Sequence, residues 1–175
     1  MLSGSLTIGA FTPGMSATPV TVTPQVGLLD NDSGSIISLV NLAGGDIVVS
    51  TGNKVQTTLG NIAIVSAQSI VLNADVLTDT TTTLEATTNN NLIDLIALAG
   101  TITDPNGTAT VASRNVALSA SGNIGATGAT PRRLLTQTAN LQLGGLSTSI
   151  NGGAVTAAPN TGKDYIANSG TQALT

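Results

Sequence analysis

The chain has 175 residues, a formal net charge of −4, neither cysteine nor histidine, and only 8% charged residues. Five basic residues, Lys54, Arg114, Arg132, Arg133 and Lys163, are too few for the positive stripe that nucleic acid requires. The lack of cysteine excludes disulfides, thiolate nucleophiles and Cys-based metal sites, and the lack of histidine removes the commonest general base.

Apolar residues make up 41% of the chain, yet there is one Phe, Phe11, one Tyr, Tyr165, and no Trp. A globular core of this length normally draws on several aromatics, because each buries a large area. A core of stacked small aliphatics does not need them. The many β-branched residues argue against disorder, and Val and Thr favour strands. The 20 glycines supply tight turns. The balance points to an all-β chain. No segment has the length and continuous apolarity of a membrane span.

Residues 1–35 read as an irregular, Pro/Thr-rich edge coil or cap. Pro13, Pro19 and Pro24 punctuate it, and proline belongs at strand edges or turns because it removes a ladder donor. Leu6-Thr7-Ile8 and Thr21-Val22-Thr23 are still strand-like. Met1-Leu2-Ser3-Gly4-Ser5 lacks the basic and apolar regions of a signal peptide. A mature fragment and export without an ordinary signal therefore both stay open.

From residue 36 to 175 short strands follow quickly. Ile36–Val40, Asp46–Ser50, Asn61–Val65 and Ser69–Asn73 are each bounded by Gly, Asn, Asp or Ser. Glycine corners at Gly45, Gly60, Gly100, Gly122 and Gly145 suggest a period of roughly 20 residues, which is a solenoid signature and implies about eight coils. One coil cannot bury its own inward residues, whereas stacked coils form a continuous apolar ladder. The expected inward positions are Ile47, Ile62, Leu72, Leu98, Ile102, Leu118, Ile124, Leu141 and Ile166. The polar stretch Thr78–Asn91 reads as an outer face. Leu92–Leu98 has helix-compatible spacing, but its neighbours favour a strand.

Several of these phrases form a pattern. Gly122-Asn123-Ile124-Gly125, Pro131, Leu134-Leu135-Thr136 and Ala139-Asn140-Leu141 are followed by Tyr165-Ile166-Ala167-Asn168-Ser169-Gly170. The series resembles the repeats of filamentous-haemagglutinin-like large exoproteins. The resemblance covers residues 95–175 well and 36–94 more loosely. It implies a right-handed parallel β-helix serving as the shaft of a secreted bacterial adhesin. Arg132-Arg133 interrupts the usual step from the proline to the leucine.

Chemistry is written less clearly. Asp75 and Asp79 are the nearest pair of carboxylates for a polysaccharide-acting enzyme, but such pairs must face each other across a cleft, and solvated turns explain them as well. Asp30-Asn31-Asp32-Ser33-Gly34 opens like a calcium loop, which makes Asp30 and Asp32 the calcium candidates. The distal bidentate Glu is missing, and turn chemistry accounts for the same letters. Asp104-Pro105-Asn106-Gly107 reads as a tight turn. Thr-x-Thr pairs at 21/23, 101/103, 108/110 and 136/138 are too irregularly spaced for a flat ice-binding face.

The sequence thus predicts an all-β, right-handed parallel β-helix of one continuous domain. Its expected role is a non-catalytic, cofactor-free shaft segment of an exported bacterial filamentous adhesin at the cell surface. The alternative is a filament subunit that stacks end to end through open strand edges. The partners expected are neighbouring copies or the rest of a longer β-helix, and a host or environmental glycan surface.

Overall fold

Runs of Ile, Val and Leu that alternate with small polar residues and stop at Gly, Asn or Ser can satisfy their backbone only by pairing with other strands. In the computed structural model they do so. The structure describes residues 6–8, 10–11, 25–34, 36–78, 90–126, 132–144, 147–150, 153–156 and 160–169. Among these there is no helix.

In chain order the strands are β1 (Leu6–Ile8), β2 (Ala10–Phe11), β3 (Gln25–Ser33), β4 (Ile36–Asn41), β5 (Ile47–Val49) and β6 (Lys54–Thr58). They continue with β7 (Asn61–Ser66), β8 (Ile70–Leu72), β9 (Val76–Leu77), β10 (Leu92–Ala97), β11 (Ile102–Thr103) and β12 (Thr110–Ala112). The last are β13 (Asn115–Ala120), β14 (Leu134–Gln137), β15 (Asn140–Leu143), β16 (Ser147–Ile150), β17 (Gly153–Thr156) and β18 (Ile166–Asn168). The segment Leu92–Ala97 is therefore a strand.

These strands are dealt out in rotation to three sheets. A four-stranded sheet runs β1-β5-β8-β11, a five-stranded sheet runs β15-β13-β10-β7-β4, and a seven-stranded sheet runs β18-β14-β12-β9-β6-β3-β2. All neighbours in them are parallel except β2 against β3. A separate hairpin, β16–β17, is antiparallel. The chain visits the seven-stranded, five-stranded and four-stranded sheets in turn, then starts again one level higher. That is a β-solenoid.

Register makes the core. Ile37, Ile62, Ile93, Val116 and Leu141 stand in one column of the five-stranded sheet. Val55, Val76 and Val111 stand in one column of the seven-stranded sheet. In the four-stranded sheet the column is Leu6, Ile47, Ile70, Ile102, then Ile124 and Asp164 through single bridges. The inward side chains of all three sheets merge into one apolar cluster. Each buried Ile or Leu contributes roughly 1.5–3 kcal/mol relative to exposure.

The four-stranded column has six levels among the described residues, where a 20-residue period leads to about eight coils. Its successive spacings from Ile47 are 23, 32, 22 and 40 residues. The glycine corners explain the difference. Gly45 precedes β5 and Gly60 precedes β7, so these two mark different corners and their separation is not a coil. In register, the position of Gly45 recurs at Gln68, Gly100, Gly122 and Gly162; Gly145 lies outside the described residues.

The ladder also begins before residue 36. β3 pairs with β6 from Gly27↔Lys54 onward, and β1 extends the four-stranded sheet below β5. Within the stretch read as an irregular cap, the strand-like Leu6-Thr7-Ile8 is β1, whereas Thr21-Val22-Thr23 lies outside the described residues. Thr78 and Asn91 frame the polar stretch, of which residues 79–89 also lie outside.

Of the nine inward positions named from sequence, Ile47, Ile62, Leu72, Ile102, Leu118, Ile124 and Leu141 are at most 2% exposed. Ile166 is half-buried on β18 and packs on the same cluster. Leu98 differs. It packs with Val40, Val65 and Ile96 in a second cluster. Strand alternation puts Val65 and Ile96 on the outward side of the five-stranded sheet, opposite Ile64 and Leu95. Both are fully buried, so the middle of this sheet is covered on both faces, as parallel sheets usually are.

Candidate functional site

A solenoid that buries its aliphatics inward leaves its polar chemistry at the corners, and the corners are where this chain concentrates side-chain hydrogen bonds. The first corner follows the seven-stranded sheet. Two residues beyond Val55, Val76, Val111 and Thr136 stand Thr57, Thr78, Ser113 and Thr138, each at most 2% exposed. The Thr57 hydroxyl donates to the Gly60 carbonyl and accepts from the Gly60 N–H. Thr78 Oγ1 donates to Ser113 Oγ at 2.9 Å, and Ser113 Oγ donates to the Asn91 carbonyl at 2.9 Å. Thr138 Oγ1 lies 2.9 Å from the carbonyls of Arg114 and Asn140. These hydroxyls complete the backbone bonds of the bend and of the neighbouring level, which a buried corner must satisfy.

The next column is amide-rich. Asn61 Oδ1 accepts from the Leu92 N–H, and Asn140 Nδ2 donates to Asn115 Oδ1 at 2.9 Å. Asn115 Nδ2 reaches the Asn91 carbonyl. Stacked amides of this kind link levels much as they do in cross-β ladders.

Asp104 holds the turn after β11. Its Oδ1 accepts from the N–H groups of Asn106 and Gly107 at 3.1 and 2.8 Å, and its Oδ2 accepts from the Ala109 N–H at 2.9 Å. The residue is 1% exposed. Gly107 has φ +70°, the left-handed conformation that a tight turn demands and glycine supplies. The letters Asp-Pro-Asn-Gly thus form a carboxylate-anchored turn.

A concavity among the described residues lies between corners at successive levels. It is an open groove of about 300 Å³ lined by Thr51, Gly52, Lys54, Asn73, Ala74, Asp75 and Thr108. Its polar groups are partly committed: Asp75 Oδ1 accepts from the Thr110 N–H at 2.8 Å, and Asn73 Oδ1 accepts from Asn106 Nδ2 at 3.1 Å. The groove offers two hydroxyls, one side-chain amide, one ammonium group and the Asp75 carboxylate, a set that can hydrogen-bond and pair charges with a polar ligand.

The candidate residues fall as follows. Asp75 is in this groove, half-buried, and Asp79 lies outside the described residues. Asp30 and Asp32 are on β3, not in a loop, and the strand's register shifts between Asp30 and Ser33 before the turn at Gly34. Among the described residues no three Asp, Glu, His or Cys side chains gather to hold a metal. Of the Thr-x-Thr pairs, Thr101 and Thr103 belong to the four-stranded sheet's level, whereas Thr136 and Thr138 are buried in the seven-stranded sheet and at its corner. Thr108 is exposed beside the half-buried Thr110, and Thr21 and Thr23 lie outside the described residues.

Arg132 and Arg133 are exposed. Arg132 exchanges two backbone bonds with Ala126, and Leu134 joins the ladder two residues later. The interruption seen in sequence is therefore absorbed outside the ladder.

Sequence reasoning missed the buried hydroxyl column and the role of Asp104. The signal for the first was present, as a hydroxyl two residues after the inward residue in Val55-Gln56-Thr57, Val76-Leu77-Thr78, Val111-Ala112-Ser113 and Thr136-Gln137-Thr138. The two halves of the family-like phrase also stack on each other: Ile124 bridges Asp164, the Tyr165 N–H donates to the Ile124 carbonyl at 2.7 Å, and Leu134 pairs with Ile166. No family model, curated protein or solved structure matches the chain.

Proposed function

We propose that this chain is a structural shaft segment, a right-handed parallel β-helix of an exported bacterial filamentous adhesin, without a catalytic centre. The observation that carries this reading is the destination of its polar side chains. Thr78, Ser113 and Thr138 reach groups of the neighbouring level, and Thr57 and Asp104 fasten the backbone of their own turns. Such chemistry serves rigidity. A right hand is the expected one, because parallel strand-to-strand crossovers are right-handed in about 98% of cases. The resemblance of residues 95–175 to filamentous-haemagglutinin-like exoproteins supports the surface role by analogy. The polar groove at Lys54, Asn73 and Thr108 is the surface best suited to a glycan.

The test is immunogold labelling of intact source cells with antibody to this chain, together with a turnover assay on acidic polysaccharides with and without calcium. Labelling on surface fibres and no turnover are expected. Antigen confined to the cell interior, or turnover lost in Asp75→Asn, would overturn the reading.

A further inference from the structure

The corner after β11 holds a chemically labile bond under restraint. Asparagine followed by glycine is the dipeptide most prone to ring closure, because glycine has no Cβ to shield its nitrogen from the preceding side chain. The sequence spells it at Asn106-Gly107 and at Asn151-Gly152, and the second lies outside the described residues. Asn106 is exposed and Gly107 is half-buried.

The reaction needs a free nitrogen and a free side chain. The Gly107 nitrogen must give up its proton and attack Asn106 Cγ; the bond from Cγ to Nδ2 breaks, and Nδ2 leaves with a proton as ammonia. Water then opens the cyclic imide at either carbonyl, giving aspartate or isoaspartate. This turn withholds both freedoms. The Gly107 N–H donates to Asp104 Oδ1 at 2.8 Å, and the carboxylate opposes negative charge on that nitrogen. The Asn106 N–H donates to the same oxygen at 3.1 Å, and Asn106 Nδ2 donates at 3.1 Å to Asn73 Oδ1, which belongs to the neighbouring level. Pro105 has no N–H, so the donors that Oδ1 meets are those of the labile pair itself. Oδ2 is fixed by the Ala109 N–H at 2.9 Å.

We propose that Asn106 is a self-modification site held dormant by Asp104 and Asn73, and that opening of this turn converts Asn106 to isoaspartate or aspartate with water as the co-reactant. The proposal does not depend on the shaft reading. The product changes the corner. A carboxylate replaces the amide donor opposite the Asn73 oxygen, and isoaspartate also adds a methylene to the backbone. The bond between the two levels is lost, and negative charge arrives beside the groove that Asn73, Asp75 and Thr108 line. Because the altered turn cannot close on its former bonds, the conversion records each productive opening irreversibly.

The experiment incubates the full chain in mildly alkaline buffer, with and without enough urea to unfold it. Conversion at Asn106 is followed by peptide mass spectrometry, and isoaspartate is scored separately by enzymatic methylation. In the folded chain Asn106 should convert on the order of tenfold to a hundredfold more slowly than in urea, the protection that a locally anchored turn gives. Asp104→Ala, folded by circular dichroism, should lose most of that protection, and Asn73→Ala should lose a smaller part. Ile93→Ala weakens the core in the five-stranded sheet, away from this corner, and should keep wild-type protection, which separates the anchor from general destabilisation. Equal rates in folded and unfolded wild type would overturn the proposal, and that comparison stands even where Asp104→Ala does not fold. A folded Asp104→Ala chain that converts as slowly as wild type would also overturn it, as would an Ile93→Ala chain that loses as much protection as Asp104→Ala.

Discussion

The Gly122 N–H donates to the Gly100 carbonyl across 2.8 Å, and a Cβ placed on Gly122 would stand 2.9 Å from that same oxygen. The two glycines belong to successive levels of one corner, and the corner closes only because neither carries a side chain. Gly162 continues the stack, since a Cβ there would collide with the Gly122 backbone. Gly122→Ala should therefore force the levels apart and cost about 1–3 kcal/mol, the usual penalty of overpacking. That corresponds to a fall in Tm of roughly 2–4 °C per kcal/mol for a chain of this size. Gly52→Ala is the control: its φ is +77° but a Cβ there meets nothing within 4 Å, so only backbone strain is added. Equal Tm values for Gly122→Ala and wild type would refute the crowding argument.

The axial ladder predicts severe effects from charge. Ile102 and Ile124 are fully buried and adjacent in one column. Ile102→Asp or Ile124→Asp places an unpaired carboxylate in that column and should cost several kcal/mol. Ile93→Ala, which only removes volume, should cost about 2–5 kcal/mol. Urea titration followed by circular dichroism measures both, and an unchanged midpoint for either Asp variant would show that the column is not buried in solution.

Much of this architecture was legible, for a physical reason. Inward Ile and Val at period two, closed by Gly or Asn, are needed in every level of a solenoid, so Ile47, Ile62, Ile102 and Ile124 announce themselves. The period was not legible. Gly45 and Gly60 look alike as letters but sit at different corners, and the longer sequence interval between Leu77 and Leu92 leaves the register of β9 and β10 intact. Leu98 was misplaced because alternation alone cannot tell an inward apolar residue from one on a covered outer face, which is where Val65 and Ile96 also lie. The Asp104 turn looked ordinary because a carboxylate that anchors three backbone donors is spelled like any turn carboxylate.

That anchoring can be measured. Asp104→Ala leaves the N–H groups of Asn106, Gly107 and Ala109 without their acceptor, and the Ala109 site is buried. Each buried donor left unsatisfied costs about 1–3 kcal/mol. The variant should unfold at markedly lower urea concentration with an unchanged m value, and Asp104→Asn, which retains one acceptor oxygen, should lose less. A change within about 0.5 kcal/mol for the alanine variant, the range of ordinary surface substitutions, would contradict the assignment.

Thr78 and Ser113 should behave as one unit. Their hydroxyls are buried, 2.9 Å apart, and belong to neighbouring levels. A double-mutant cycle with Thr78→Val and Ser113→Ala should give a coupling of about 0.5–1.5 kcal/mol. Additive effects would mean that each hydroxyl serves only its own level.

Calcium provides a separate check on β3. Asp30 stands in a strand opposite Thr57 rather than in a ligand-wrapping loop. Millimolar calcium is expected to leave Tm unchanged in wild type and in Asp30→Asn alike. A rise in wild type that the variant abolishes would establish a site there.

The spacings of 23, 32, 22 and 40 residues between rungs of the same column have a practical meaning. The rung keeps its geometry while the chain between rungs nearly doubles from 22 to 40 residues, and the 40-residue interval houses the β16–β17 hairpin. Lengthening a flexible loop costs only about 0.6 kcal/mol per doubling. The corner between Leu143 and Asp164 is accordingly a natural insertion port, where a foreign peptide or a small domain can be displayed on the outside without shifting the register of the levels above and below it.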